Sequence, residues 1–320
     1  MKMKSSGMAV LMAWAALPMA APLFAQSMGQ GQAVVTVLPK VEGQPVPPSV
    51  AQQDLAVKVN GKNAKVTHWA PYQAPNDKIE LVLLIDGGAR SSLGGQMDEI
   101  GKFVNSLPPN VKAGIAYMEN GQAQFVAPLT DDHAAILKNL HLPLGVGGIS
   151  ASPYFCLSDL AKHWPGQDEA ARREVVMVTD GVDNYERRYD PDDPNLQAAI
   201  NDAVRARIVV YSIYWMNQGR SDSTAYANND GQNLLSAVTE ATGGKSFWQG
   251  MGNPVSFQPY LEELARRLRN QYELGFSAPI KDKPNVEVMK LELHAPGTEI
   301  DAPHQVLMVP GGAEGIGNRE

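Results

Sequence analysis

Ile79-Glu80-Leu81-Val82-Leu83-Leu84-Ile85-Asp86 decides the reading of this chain. It is a near-continuous apolar strand that ends on one carboxylate. In an open α/β sheet, the loops at the carboxyl ends of parallel strands carry the binding chemistry. A second run, Val175-Val176-Met177-Val178-Thr179-Asp180-Gly181, ends the same way. Two buried strands that each bring an Asp to one sheet edge predict a site there. Its business is a cation, or a partner that supplies or replaces one.

Outward from this pair, strands and helices alternate from residue 78 to about 271. Met97, Ile100, Phe103, Val104 and Leu107 recur at helical spacing. Ala113–Met118 and Ala123–Ala127 read as strands joined by a tight turn at Asn120-Gly121. Thr130 or Asp131 is the expected cap of a short helix carrying Ile136, Leu137 and Leu140, and Ser152-Pro153 starts the next one. Later strands are expected at Ile208–Trp215 and Lys245–Trp248, with helices around Leu196–Val204, Leu234–Val238 and Leu261–Leu268. This order predicts an α/β fold: a doubly wound, mostly parallel, Rossmann-like sheet with one antiparallel edge strand.

Both flanks read as β. Ala33–Leu38, Leu55–Val59 and Ala64–Trp69 are candidate strands before the sheet, the last two joined at Asn60-Gly61. Tyr272–Phe276, Val286–His294 and Gln305–Val309 follow it. The two chain ends are expected to meet in one small β region. The divisions read as 1–25, 26–77, 78–271, 272–310, and a glycine-rich tail at 311–320 expected to be disordered.

Met1 to Ala25 has the form of a secretory signal peptide: Lys2 and Lys4, then an apolar stretch from Met8 to Ala21, then Phe24-Ala25 before the expected cut. An uncleaved anchor is the alternative. Cleavage takes the formal charge from −7 to −9 by removing Lys2 and Lys4. An acidic chain does not suit sequence-independent nucleic-acid binding, which rests on Lys and Arg at phosphates. No later stretch is apolar enough to span a membrane. Cys156 is the only cysteine, so no intrachain disulfide forms, which is compatible with a periplasmic or secreted protein.

Residues 78–276 resemble a von Willebrand factor type A (VWFA) domain, nearest to an exported bacterial subgroup of the Acidobacteria type. Leu83-Leu84-Ile85-Asp86, Gly147-Gly148-Ile149-Ser150, Val178-Thr179-Asp180-Gly181-Val182-Asp183-Asn184, Ala241-Thr242-Gly243-Gly244 and Leu268-Arg269-Asn270-Gln271-Tyr272 carry the likeness. The flanking β segments look like those of the same subgroup. The resemblance implies a metal-ion-dependent adhesion site built from Asp-x-Ser-x-Ser, a Thr and a further Asp, with a partner acid completing the ion's shell. Here Asp86 and Asp180 occupy the two Asp positions. The Ser positions fall on Gly88 and Arg90, and the Thr position on Ile149 or Ser150. The site is therefore degenerate. A hard divalent cation wants a nearly full oxygen set.

Arg90 is accordingly expected to bridge Asp86 and Asp180 as a fixed cation in the metal's place. A site rebuilt from Ser91, Ser92, Ser150 and Ser152 is the competing reading, with Asp86 and Asp180 as ligands of a weakly held Mg²⁺ or Ca²⁺. An inert edge, whose Asp residues only cap turns, is the third. Asp183 and two long loops share the edge. Tyr185, Arg187, Tyr189, Arg220 and Tyr226 lie on those loops and have the types enriched at recognition surfaces. Cys156 and His163 stand two helical turns apart, too far for a catalytic pair. No nucleophile–base pair or phosphate loop emerges, so no enzyme activity and no required cofactor are expected. The expected function is exported protein–protein recognition or adhesion through this edge, with a protein partner that the sequence does not identify. A metal-dependent adhesion module and an envelope-complex scaffold subunit are the alternatives, and an exported hydrolase is disfavoured because the chain offers no nucleophile–base pair.

Overall fold

The computed structural model describes residues 27–41, 49–72, 77–146, 149–185, 190, 192–216, 225–250, 252–281 and 283–311, apart from the side chains of residues 90, 91, 225 and 226. The expected signal peptide, the tail from residue 312, Arg187, Tyr189 and Arg220 lie outside the described residues.

Strands β1 (Ser27–Pro39), β2 (Leu55–Val59) and β3 (Lys62–Pro71) lead into β4 (Ile79–Asp86). A 3₁₀ turn (Gly87–Leu93), α1 (Gly94–Ser106), β5 (Val111–Glu119), β6 (Gln122–Thr130), α2 (His133–Asn139) and α3 (Pro153–Lys162) follow. Then come β7 (Arg172–Thr179), α4 (Pro194–Arg205), β8 (Ile208–Tyr214), α5 (Ala225–Thr242), β9 (Ser246–Phe247) and α6 (Gln258–Arg269). The last elements are β10 (Gln271–Ile280), β11 (Asn285–Leu293), β12 (Thr298–Asp301) and β13 (Gln305–Pro310).

The strand pairing corrects the expected fold class of one doubly wound, mostly parallel sheet with a small β region. Seven of the strands form an all-antiparallel sheet in the order β10-β3-β2-β11-β13-β1-β12. Because β10 also pairs with β1, six of these close into a barrel, and β12 hangs on the end of β1. The other six form a mixed sheet, β6-β5-β4-β7-β8-β9, in which β6 runs antiparallel to β5. The flanking segments alternate strictly enough to build their own core. Val35, Val37, Val57, Val59, Leu274, Phe276 and Met308 all point into the barrel. Closure leaves that sheet with no open edge among these six strands to pair elsewhere.

The mixed sheet is sandwiched between two helical layers. β4 is buried along its whole length, so both faces read as apolar. Leu81, Leu83 and Ile85 face α1, α2 and α6, while Val82 and Leu84 face α3, α4 and α5. That alternation puts Asp86 on the α3 side. Helix starts follow local chemistry. Asp132, rather than Thr130 or Asp131, caps α2 by accepting from the Ala135 N–H at 3.0 Å. Ser152 and Asp193 cap α3 and α4 immediately before Pro153 and Pro194.

The barrel docks at the amino ends of the mixed sheet. Val37 N–H donates to Asn270 O at 2.8 Å, and His304 N–H to Glu240 O at 3.0 Å. A cavity of about 420 Å³ opens along this seam beside Tyr72, Arg172, Arg207 and Glu273. The carboxyl ends of β4 and β7 are on the far side, uncovered by the barrel.

Candidate functional site at the carboxyl edge

Asp86 ends β4, is 1% exposed, and is met by three donors. The Gly88 N–H donates to Oδ1 at 2.8 Å. The Thr179 and Ser150 hydroxyls donate to Oδ2 at 3.1 and 3.4 Å. Thr179 is the residue that motif spacing misses. Strand parity finds it: Val175, Met177 and Thr179 share the face on which Asp86 lies.

Asp180 lies one residue beyond β7, 3% exposed, with Oδ1 accepting from Val182 N–H at 3.0 Å. Asp183 accepts from Ser152 Oγ at 2.9 Å and from Tyr185 N–H at 2.7 Å. Tyr154 donates its hydroxyl to Gly181 O at 2.8 Å. Burial, and then the nearby Asp183 and Asp180, push that phenol well up from its usual range. Burial and then Asp86 push the Cys156 thiol up too, so Cys156 stays a thiol and not a nucleophile. His163 is the C-cap of α3 and bonds Asp159, away from Cys156.

Neighbouring loops are locked onto this pair. Asn120 and Gly121 N–H groups donate to Ile149 O and Ser150 O, and Asn184 N–H to Ala151 O. Ala151 sits at φ 62, a left-handed conformation that an L side chain resists and that these bonds hold. Gly231 of α5 touches the loop after β7: a Cβ there would fall 2.1 Å from Asp180 O. Trp215 N–H donates to Thr179 O, and its indole N–H to Ser92 Oγ at 3.1 Å.

Sequence reasoning also missed an apolar rim. Gly145 is pressed on the turn after Asp86, where its Cβ would meet Gly87 O at 2.6 Å. The flanking Leu144 and Val146 are 88% and 60% exposed. Tyr185, 67% exposed, leans on Phe155 with ring centroids 5.1 Å apart. The structure thus brings Asp86, Gly88, Ser150, Ser152, Asp180, Asp183 and Tyr185 to one edge. Arg90 belongs by backbone to the 3₁₀ turn and Tyr226 to α5, their side chains being undescribed.

Among the described residues, no three His, Cys, Asp or Glu side chains stand together as a metal group would need. Neither Gly88 nor Arg90 offers a side-chain oxygen. The two acids and the hydroxyls of Ser150 and Thr179 do not make up the oxygen set that the resemblance implies. No helix among the described residues is long and apolar enough to cross a membrane.

No protein-family model matches the chain, and no curated protein does. Solved structures give distant likenesses. A conserved hypothetical protein, BatB, from Bacteroides thetaiotaomicron shares 14% identity at TM-score 0.44, over 59% of this chain and 97% of its own. The vWF domain of the type V pili tip protein Mfa5 from Porphyromonas gingivalis shares 10% at 0.42, over 61% and 96%. The pilus adhesin SpaC from Lactobacillus rhamnosus GG shares 11% at 0.44, over 86% of this chain but 49% of its own length. Scores this low leave the fold to its own strand pairings and the function to its own residues.

Proposed function

We propose that this protein is an exported recognition module that holds a protein partner at the carboxyl edge of its mixed sheet, without needing a metal at Asp86. One observation supports this above the others. Asp86 is met by three of the protein's own donors, while Leu144, Val146 and Tyr185 stand exposed around it. Large apolar and aromatic side chains grouped at one edge are what a partner's surface would bury. A double variant, Leu144→Ser with Tyr185→Ala, leaves the core untouched. Immobilised wild type should capture an envelope protein that the variant does not. Equal capture by both, or none by either, overturns the reading.

Arg90 extends the proposal. On its place in the sequence alone, Arg90 supplies a permanent positive charge at the position that the resemblance gives to a metal-ligating serine. Calorimetric titration of wild type with Mg²⁺, Ca²⁺ and Mn²⁺ is then expected to show no binding, and Arg90→Ser to gain weak Mg²⁺ affinity. A wild-type melting temperature that rises with millimolar Mg²⁺ and falls with chelator refutes this role and favours a rebuilt metal site.

A further inference from the structure

The seam between barrel and mixed sheet holds buried polar groups that the carboxyl edge does not use. Glu174 lies in β7 between Leu81 and Val209 in register, fully buried. Neither of its carboxyl oxygens has a hydrogen-bond partner, and neither does Oε1 of Gln271. The Gln271 amide, at the start of β10, lies alongside and donates to Tyr211 OH at 3.1 Å. A buried carboxylate with no donor is costly, and so is a buried amide oxygen with none. A protonated Glu174 avoids the first cost and brings the donor that the Gln271 oxygen lacks.

The surrounding charges do not supply another answer. On β7 itself, Arg172 Nη1 stands 3.9 Å from Glu174 Oε1. That guanidinium is already held by both oxygens of Asp77 and by Leu268 O. Asp77, ahead of β4, adds negative charge near Glu174, and Tyr72, after β3, feels the Glu174 field. Tyr211 on β8 faces it, with Thr36 of β1 and Arg267 of α6 behind that phenol. Arg267 is itself bound to Asp301 at 2.6 Å and to Glu263 at 2.9 Å.

We propose that Glu174 is held as a neutral carboxylic acid that donates its proton to the Gln271 side-chain oxygen, joining the mixed sheet to the barrel, and that its ionisation in alkaline solution loosens this seam. Burial pushes the carboxyl up to about 8, with Asp77 adding to the rise and Arg172 and Gln271 opposing it. A carboxyl raised on folding binds its proton more tightly in the native state. Its contribution is full below the ordinary glutamate range and is lost as pH rises from about 4.5 to about 8. The folding constant should fall by up to about tenfold per pH unit across that window.

The test uses the full chain labelled with ¹³C at glutamate carboxyls, the Glu174 signal being assigned through its backbone. That signal should stay in the neutral form to about pH 7 and ionise near pH 8. In parallel, Glu174→Gln keeps a neutral donor, so its stability should lose the slope between about pH 5 and 8. At about pH 9 the amides of β10 should exchange faster in wild type than in Glu174→Gln at the same pH. A Glu174 signal already ionised near about pH 5 overturns the proposal, whether or not the variant folds. Equal pH slopes or equal β10 exchange in the two proteins overturn it as well.

Discussion

Arg172→Ala is expected to cost about 3–5 kcal/mol of folding stability, the range for breaking one partner out of a buried ion pair. The Arg172 side chain is 2% exposed and that of Asp77 9%. Arg172 Nε donates to Asp77 Oδ1 at 2.9 Å, and Nη2 grips the other oxygen. The guanidinium also lies 4.5 Å from the centre of the Tyr72 ring and caps the Leu268 carbonyl. One side chain thus ties the start of β7 to the segment before β4, to the end of α6, and to the residue after β3. Removing it strands Asp77 in a nearly dry pocket. Chemical denaturation measures the loss, and a double-mutant cycle separates its parts. Arg172→Met alone should remain costly, because Asp77 stays unpaired. Arg172→Met with Asp77→Asn should recover part of the difference. A loss under about 1 kcal/mol for Arg172→Ala would place the pair among surface salt bridges and refute this account.

The same residue shows where sequence reading stops. Val175–Thr179 is legible as a strand because every residue is apolar until the Thr. The strand nevertheless begins at Arg172, and its first three residues carry two arginines and a glutamate. Charges at a strand start read as solvent-facing. Here Arg172 and Glu174 are buried and Arg173 half-buried because the barrel covers that end, and the barrel is made by pairings such as Ser27 with Ile280 that no local pattern announces. Alternation in Leu55–Val59 and Ala33–Leu38 shows that strands form. It does not say that they close on one another, which depends on a core shared between the two ends of the chain. β12 went unseen for a related reason: its four residues gain their order only by lying on β1.

The site was legible in its anchors and not in its joints. Asp86 and Asp180 follow from apolar runs that stop on an acid. Ser150 follows from the resemblance with a slip of one residue, and the structure places its hydroxyl on Asp86. Thr179 did not emerge, because motif spacing looked for a loop threonine. The hydroxyl instead comes from the last residue of β7, on the face fixed by strand parity. The apolar rim at Leu144 and Val146 did not emerge from the sequence. What exposes it is Gly145, whose missing side chain lets the loop sit on Gly87.

Gly231→Ala tests whether α5 sets the geometry of that edge. In a free helix the change would stabilise by about 1 kcal/mol, since alanine is the better helix former. Here the new Cβ would lie 2.1 Å from the Asp180 carbonyl oxygen, and backbone cannot rotate aside as a side chain can. Gly181 holds the other side of the contact at φ 70, where its own Cβ position is 2.4 Å from Gly231 O. Helix and loop have approached as closely as two glycines permit. Either α5 lifts away or the Asp180–Asp183 loop shifts, and both routes lose packing under Leu235, which is fully buried. Overpacking against a rigid neighbour costs about 1–3 kcal/mol, and an obstacle made of backbone puts this change at the upper end. Gly95→Ala is the control. It makes the same chemical change in α1, where a Cβ meets nothing within 4 Å, and should be neutral or stabilising by up to about 1 kcal/mol. The Gly231 variant should also lose whatever partner capture wild type shows, because Asp180, Asp183 and Tyr185 move with the loop. If Gly231→Ala and Gly95→Ala shift stability equally, α5 does not set the loop, and the carboxyl edge is positioned by the strands alone.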